Sequence, residues 1–225
     1  VNGGKILFDL YAQTGDERYK IAMDTLRKQM AEQPRTSEGG FWHKLRYPHQ
    51  MWLDGIFMAS PYLVQYGATF DEPALFDEAT KQILLIKSKT YDPATGLYYH
   101  GWDESHEQKW SNPETGCSPN FWSRSIGWYG AAIVDVLDFL PQETAGRDSI
   151  IQILQGLAKA IVKYQDPSSG TWYQVTDQGA REGNYLESSA TALFIYTLAK
   201  AINKGYIGNE YIEPTQKAFD GMVKT

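Results

Sequence analysis

One carboxylate in the sequence has surroundings that favour its neutral acid form. Asp54 lies in residues 43–58, where a basic, aromatic loop runs into an apolar helix, and no Lys or Arg follows before Lys81. An acid among rings and methyl groups loses hydration, so the sequence predicts that Asp54, in the second turn of this helix, holds a proton near neutral pH. The alternative is an ordinary helix-start Asp, which the helix dipole favours.

The chain repeats an element that is built on an Asp-Pro turn. Residues 91–99 (Tyr-Asp-Pro-Ala-Thr-Gly-Leu-Tyr-Tyr) recur at 165–173 as Gln-Asp-Pro-Ser-Ser-Gly-Thr-Trp-Tyr, and residues 40–43 form a weaker copy. An apolar helix follows each copy, which predicts that Asp54, Arg124 and Ser188 are equivalent in units of about 65–70 residues. One buried and one amphipathic helix in each unit predict an all-α toroid whose long loops share one rim and carry the site.

The helical pattern predicts eight helices in four hairpins, with almost no strand-like alternation. The predicted helices cover approximately residues 5–13, 16–33, 51–66, 70–89, 119–140, 147–165, 184–204 and 210–224. A closed toroid of this kind usually needs six hairpins. The sequence therefore predicts one incomplete domain over residues 1–225. Either another copy completes the outer wall, or the chain is a fragment that lacks N-terminal and C-terminal helices and exposes apolar inner faces, and the fragment is the favoured prediction.

Composition favours a sugar ligand. Aromatic residues make up 14% of the chain, including seven Trp and fifteen Tyr, and such flat rings suit stacking on sugars or bases. A net charge of −6 disfavours binding to nucleic acid or to anionic membranes, and no apolar run approaches the roughly 20 residues that span a bilayer. The single cysteine, Cys117, excludes an internal disulfide. No signal peptide is predicted at the start, and the compartment stays open between cytoplasm and periplasm.

The repeat predicts a cluster of side chains around Asp54. Arg124 is expected at the same depth on the same rim, below His43 and Lys44 from the first loop and His100 from the second. The flanking tryptophans are Trp52, Trp122 and Trp128. Arginine suits bidentate recognition of a carboxylate and an indole offers a flat wall to a sugar, so an anionic ring is the predicted ligand. In the structural alternative, Arg124 forms a salt bridge with Asp54 and the tryptophans fill the core.

A second group of polar residues lies in the loop over residues 91–118. Asp103 and Glu104 are a candidate acid pair for an ordinary inverting glycosidase, although loop acids are usually solvated. His100, His106 and Cys117 share the loop, but their spacing matches no compact zinc pattern. No metal site and no cofactor are therefore predicted.

The block at residues 120–130, Asn-Phe-Trp-Ser-Arg-Ser-Ile-Gly-Trp-Tyr-Gly, resembles the Trp-x-Arg-x-x-Gly-Trp signature of the unsaturated rhamnogalacturonyl hydrolases. These are glycoside hydrolases of family 105, related to the unsaturated glucuronyl hydrolases of family 88. Residues 43–55, 98–103 and 181–187 also match, so the similarity covers essentially the whole chain. The resemblance implies an (α/α)6 barrel and a second active-site aspartate just before Val1.

The resemblance also implies an activity: release of a terminal 4,5-unsaturated uronic acid from oligosaccharides made by polysaccharide lyases. Asp54 would protonate C4 of the enol ether and then take a proton from the water that adds to C5. The substrate's own carboxylate is expected to keep Asp54 protonated. The expected substrate-binding residues are His43, Lys44, Trp52, His100, Trp122, Arg124 and Trp128. The alternatives are a carbohydrate-binding or inactive truncated scaffold and an ordinary inverting glycosidase.

Overall fold

Eight α-helices form four consecutive hairpins in the part of the chain that the computed structural model describes, residues 1–224. The helices are α1 (Ile6–Thr14), α2 (Glu17–Ala31), α3 (Leu53–Phe70), α4 (Ala74–Thr90), α5 (Ser123–Val136), α6 (Arg147–Lys163), α7 (Ser188–Asn203) and α8 (Ile212–Lys224). The same residues contain two strands, β1 (Gln50–Trp52) and β2 (Gly101–Asp103). The predicted all-α fold is confirmed.

The helices form an inner row and an outer row. Helix α3 packs against α5, and α5 packs against α7, while α4 and α8 each pack against the inner helix that precedes them and α6 packs against α4 and α5. Helix α5 buries almost every side chain, whereas α6 buries one face and exposes the other. This division matches the predicted alternation of buried and amphipathic helices, because an inner helix has neighbours on most sides.

The repeated turns have the same hydrogen bonds. Asp92 Oδ2 accepts from the Thr95 N–H at 2.9 Å, and Asp166 Oδ2 accepts from the Ser169 N–H at 2.7 Å. One residue later each turn has a glycine with positive φ, +80° in the first copy and +74° in the second, a conformation that glycine adopts without a Cβ clash. The turns therefore return the chain to the rim in the same way, as the repeat predicted.

The start of α3 differs from the sequence-based prediction. Met51 and Trp52, predicted to be helical, lie in β1, which pairs antiparallel with β2. Helix α3 then begins at Leu53, so Asp54 lies in its first turn and not its second. The run at residues 50–52 is too short for its periodicity to distinguish a helix from a strand. Pairing with the distant strand β2 makes it a strand.

The predicted equivalence of the third repeat is also wrong by one residue. Trp122 and Glu187 are the N-caps of α5 and α7, as Trp52 is the N-cap of α3. Ser189, and not Ser188, is therefore the counterpart of Arg124.

Large apolar side chains remain exposed on the first and last hairpins. Ile6 and Ile21 are 56% and 63% exposed, and on α8 Ile212 and Phe219 are 51% and 48% exposed. The four hairpins thus do not bury all their apolar surface against one another. The number of hairpins that closes the ring stays a prediction.

A proline in α3 ties the first segment of the chain to the inner helices. Pro61 lacks an N–H and leaves the carbonyl of Phe57 without its helical donor. Lys5 Nζ donates to this carbonyl at 3.1 Å and lies 3.6 Å from the centroid of the Phe57 ring. Burial lowers the pKa of Lys5 to about 8. The lysine therefore satisfies a backbone group that the proline exposed.

Helices α5 and α7 approach closely because α5 carries glycines at the contact. A Cβ on Gly127 would lie 2.7 Å from Leu193 Cβ, so the change Gly127→Ala pushes the two inner helices apart. We expect a loss of about 1–2 kcal/mol in the free energy of unfolding, measured by denaturant titration.

Gly156 provides the matched control, because a Cβ there meets nothing within 4 Å on the exposed face of α6. Gly156→Ala is expected to add about 0.5–1 kcal/mol through its helix propensity. Equal stability of the two variants would contradict the close contact between α5 and α7.

Candidate active site

A backbone hydrogen bond places His100 over the start of α3. The Leu53 N–H, which has no acceptor within its own helix, donates to the His100 carbonyl at 3.0 Å. In the next repeat the Ser123 N–H donates to the Gln174 carbonyl at 2.9 Å in the same arrangement. Each rim loop therefore delivers one polar side chain to the first turn of an inner helix.

Asp54 lies beside His100 at the rim. His100 Nε2 is 3.0 Å from Asp54 Oδ2, and the two side chains are 24% and 16% exposed. The two atoms are close but not aligned as a hydrogen bond, and Asp54 Oδ2 makes no other hydrogen bond within the described residues. Asp54 is thus largely buried, as predicted, and its Oδ2 is enclosed by protein.

Trp52 forms the wall next to this pair. Its indole Nε1–H donates to Gln50 Oε1 at 3.1 Å, and its ring stacks almost parallel on His43 and Tyr47, with centroids 4.3 and 5.0 Å away. Gly101 in β2 makes room for the indole, because a Cβ there would lie 3.0 Å from Trp52 Cδ1. These contacts hold the Trp52 indole in place, and such a flat apolar ring suits stacking on a sugar.

His43 is a neutral ring in this stack. Burial lowers its pKa to about 4, an effect that Lys44 and His100 enhance and Asp54 opposes. A histidine with this pKa is uncharged at neutral pH, so it does not supply a positive charge to a substrate carboxylate. His43 stays a predicted site residue, but its expected role changes from binding the substrate carboxylate to stacking on Trp52.

Arg124 forms an ion pair with Glu187, and this replaces the alternative pairing with Asp54. Arg124 Nη1 lies 3.0 Å from Glu187 Oε1, and the guanidinium covers the Trp122 ring at 4.3 Å from its centroid. Glu187 is buried, and its other oxygen accepts from the Ala190 N–H at 2.7 Å as the N-cap of α7. The positive charge of Arg124 is therefore already balanced by the Glu187 carboxylate.

Two predicted binding residues lie away from the Asp54 pair. Trp128 lies one helical turn below Arg124 on α5, and its ring packs against Phe57, with centroids 4.5 Å apart. Lys44 is exposed, and its Nζ is 5.9 Å from the centroid of the Tyr47 ring. Neither residue lines the main cleft, so their contact with substrate stays a prediction.

The main cleft has a volume of about 590 Å³. Asp54, His43 and Arg124 are not among the residues that line it, but His100, which contacts Asp54, is. Three residues of the predicted set line the cleft: Trp52, His100 and Trp122. The centroid of the His100 ring lies 5.0 Å from that of Trp52 and 4.8 Å from that of Trp122. The lining residues that sequence reasoning did not assign to the site include Trp110, Asn120, Gln174, Arg181 and Glu182. A signal existed for two of these, because Arg181 and Glu182 begin a motif that matches family 105.

The acid pair of an inverting glycosidase is not assembled in the cleft. Asp103 is fully buried and accepts from the N–H groups of Ser105 and Gln108 at 3.1 and 3.0 Å. Glu104 accepts from the Ser37 N–H at 2.8 Å. Both carboxylates accept hydrogen bonds that organise loops.

The candidate metal ligands serve other contacts. His106 Nδ1 lies 3.0 Å from the Pro113 carbonyl, and the buried Cys117 thiol donates to the Lys89 carbonyl at 3.1 Å. Within residues 1–224, no three His, Cys, Asp or Glu side chains group as metal ligands. In the same range no helix is long and apolar enough to cross a membrane.

The fold is that of a known class of glycoside hydrolases. The whole sequence, residues 1–225, matches Glycosyl Hydrolase Family 88, and the chain belongs to that family. A solved family 105 glycoside hydrolase from Clostridium acetobutylicum (C. acetobutylicum ATCC 824) superimposes with a TM-score of 0.96 and 43% identity over 98% of this chain and 61% of that one.

Two curated relatives extend the comparison. Protein Atu3128 of Agrobacterium fabrum is 39% identical over 153 residues, which is 68% of this chain and 64% of the relative. The unsaturated rhamnogalacturonyl hydrolase YesR of Bacillus subtilis is 27% identical over all of this chain and 64% of its own length. The chain thus spans less than two thirds of the length of these relatives.

The neutral state of His43 predicts a specific pH dependence. Its pKa falls from about 6.5 in the unfolded chain to about 4 in the fold, so between these values the unfolded state binds the extra proton. The stability that the neutral ring contributes is complete above about pH 6.5 and is lost as the pH falls towards 4. A proton NMR titration of the folded protein should show a ring that titrates near pH 4, assigned by its absence from His43→Gln.

Proposed function

We propose that the protein hydrolyses oligosaccharides that end in a 4,5-unsaturated uronic acid and releases that sugar. Asp54 is the general acid and base in this proposal. The observation that carries it is the position of one largely buried carboxyl group, 3.0 Å from Nε2 of His100, which lines a cleft together with Trp52 and Trp122. The name of the YesR relative supports the substrate class.

The substrate contains an enol ether, a C4=C5 double bond next to the ring oxygen. Protonated Asp54 gives its proton to C4, and the positive charge that develops at C5 is shared with the ring oxygen. Indole faces favour such a charge, and the reacting ring would lie against Trp52 with its edge towards His100. One carboxylic acid is enough for this step.

The second step uses the same carboxylate as a base. Water adds to C5 and loses a proton to Asp54, which restores the acid for the next cycle. The hemiketal at C5 opens to a ketone, and the hemiacetal left at C1 expels the neighbouring sugar. The paired carboxylates of ordinary glycosidases are not required, which agrees with the loop roles of Asp103 and Glu104.

The change Asp54→Asn tests the acid and base directly. An amide of the same shape neither gives nor takes the proton, so we expect kcat for an unsaturated disaccharide to fall about a thousandfold while binding is retained. The assay follows the loss of the ultraviolet absorbance of the conjugated double bond in the full-length protein.

Asp148→Asn is the matched control, because Asp148 also lies in the first turn of its helix, α6, but is exposed, whereas Asp54 in the first turn of α3 is largely buried. Both changes remove a favourable interaction with a helix dipole, and only Asp54→Asn should affect turnover. Near-normal turnover of Asp54→Asn would refute the mechanism. Retained absorbance with bound ligand in the unchanged protein would instead favour a carbohydrate-binding scaffold.

The stereochemistry of the new hydrogen at C4 separates hydration from direct displacement. In deuterated water the released sugar should carry deuterium on one face of C4, because Asp54 exchanges its proton with solvent and delivers it from one side. NMR of the product at early times measures the label. A glycosidase that acts by displacement at C1 would release the unsaturated sugar itself, whose open-chain enol takes deuterium from solvent on both faces of C4, so a mixture of the two C4 stereoisomers would contradict hydration by Asp54.

A further inference from the structure

The lining of the main cleft contains an arginine without a carboxylate partner. Arg181 lines the same cavity as Trp52 and His100. Its Nη1 donates only to neutral amide oxygens, Asn120 Oδ1 at 3.4 Å and Gln178 Oε1 at 3.2 Å. Within residues 1–224 this guanidinium forms no ion pair, and its side chain is exposed.

Four other arginines pair with carboxylates, whereas Arg46 covers the Tyr47 ring and Arg147 donates to the Leu140 carbonyl and the Tyr206 hydroxyl. Carboxylates lie within 3.0 Å of the guanidinium groups of Arg18, Arg27, Arg35 and Arg124. Arg124, the arginine next to the proposed reaction centre, is balanced by Glu187. Arg181 is therefore the cation of the cleft lining, it has no carboxylate partner, and its free N–H groups match an anion of carboxylate shape.

The loop that carries Arg181 holds it in position. The Arg181 N–H donates to the Gln178 carbonyl at 3.0 Å, and the Asn184 N–H donates to the Arg181 carbonyl at 3.0 Å. The Asn184 side chain accepts from the Val175 N–H at 3.0 Å and donates to the Val175 and Gln178 carbonyls at 3.0 and 2.8 Å. Because these hydrogen bonds restrain the loop backbone, less conformational freedom is lost when Arg181 binds a ligand, which favours recognition.

A sequence of contacts leads from the reaction centre to this arginine. His100 lies against Asp54 and Trp122, Trp122 pairs with Val175 in a β-bridge, and Asn120, which binds Arg181, precedes Trp122 by two residues. Trp110 lines the same cavity. A volume of about 590 Å³ has room for more than one sugar ring, so an oligosaccharide bound at Asp54 extends towards Arg181.

We infer that Arg181 is the centre of a second subsite, which binds the carboxylate of a further uronic acid beyond the sugar that is released. This inference rests on the proposed function for the direction in which the substrate lies. Glu182, also in the lining, makes no ion pair with Arg181 and is available to accept from sugar hydroxyl groups. The subsite gives the enzyme a preference for longer acidic oligosaccharides.

Two substrates test the subsite in the full-length protein. The unsaturated disaccharide from a lyase digest of rhamnogalacturonan has no second uronate, and the unsaturated tetrasaccharide has one. Arg181→Gln should lower kcat/KM for the tetrasaccharide about tenfold, mainly through KM, and change the disaccharide by less than about twofold. Arg181→Lys should restore part of the loss, and a methyl ester on the second uronate should reproduce it in the unchanged protein.

Arg18→Gln is the control, because it removes the same charge from an exposed position on α2, outside the cleft. Equal effects of Arg181→Gln on the two substrates, or no effect on either, would overturn the subsite. Calorimetry with the tetrasaccharide separates this failure from that of the proposed function. If no substrate loses its absorbance but Arg181→Gln still weakens tetrasaccharide binding about tenfold, the subsite is supported and the proposed reaction is refuted.

Discussion

The hydrogen bond from the Leu53 N–H to the His100 carbonyl is the constraint on which the proposed site depends. It satisfies a backbone donor that a helix start leaves free, and it also joins two loops that are far apart in the sequence. The three-residue pairing of β1 with β2 fixes the register of this junction. Asp54, Trp52 and His100 consequently meet at one point, and a shift of one residue in β1 would turn Trp52 away from the cleft.

The electrostatics of the rim follow from which charges are already balanced. Glu187 neutralises Arg124, and burial keeps His43 uncharged, so the positive charge near Asp54 is smaller than the residue types alone imply. Asp54 is largely buried, with the His100 ring as its neighbour. The cation of the cleft lining is Arg181, which has no carboxylate partner.

The use of repeated units explains how one rim provides groups with different roles. The positions that begin α3 and α5 are occupied by Asp54 and Arg124, and the loop positions above them by His100 and Gln174. The backbone hydrogen bonds are the same in both units, while the side chains differ. A common scaffold can therefore change its chemistry without a change in its packing.

The sequence by itself determined the features that depend on nearby residues. The turns at Asp92 and Asp166 are encoded within a few residues, because their side chains bind N–H groups three positions away. The buried and amphipathic helices, and the apolar setting of Asp54, follow from periodicity in the same way.

Only the tertiary structure decided which distant groups meet. The partner of Arg124 is Glu187, 63 residues away, and its identity depends on how α5 and α7 lie against each other. The contact of Trp128 with Phe57 is likewise set by how α3 and α5 lie against each other. The strand at residues 50–52 and the position of Arg181 in the cleft have the same origin, since long-range contacts set them and local preference does not.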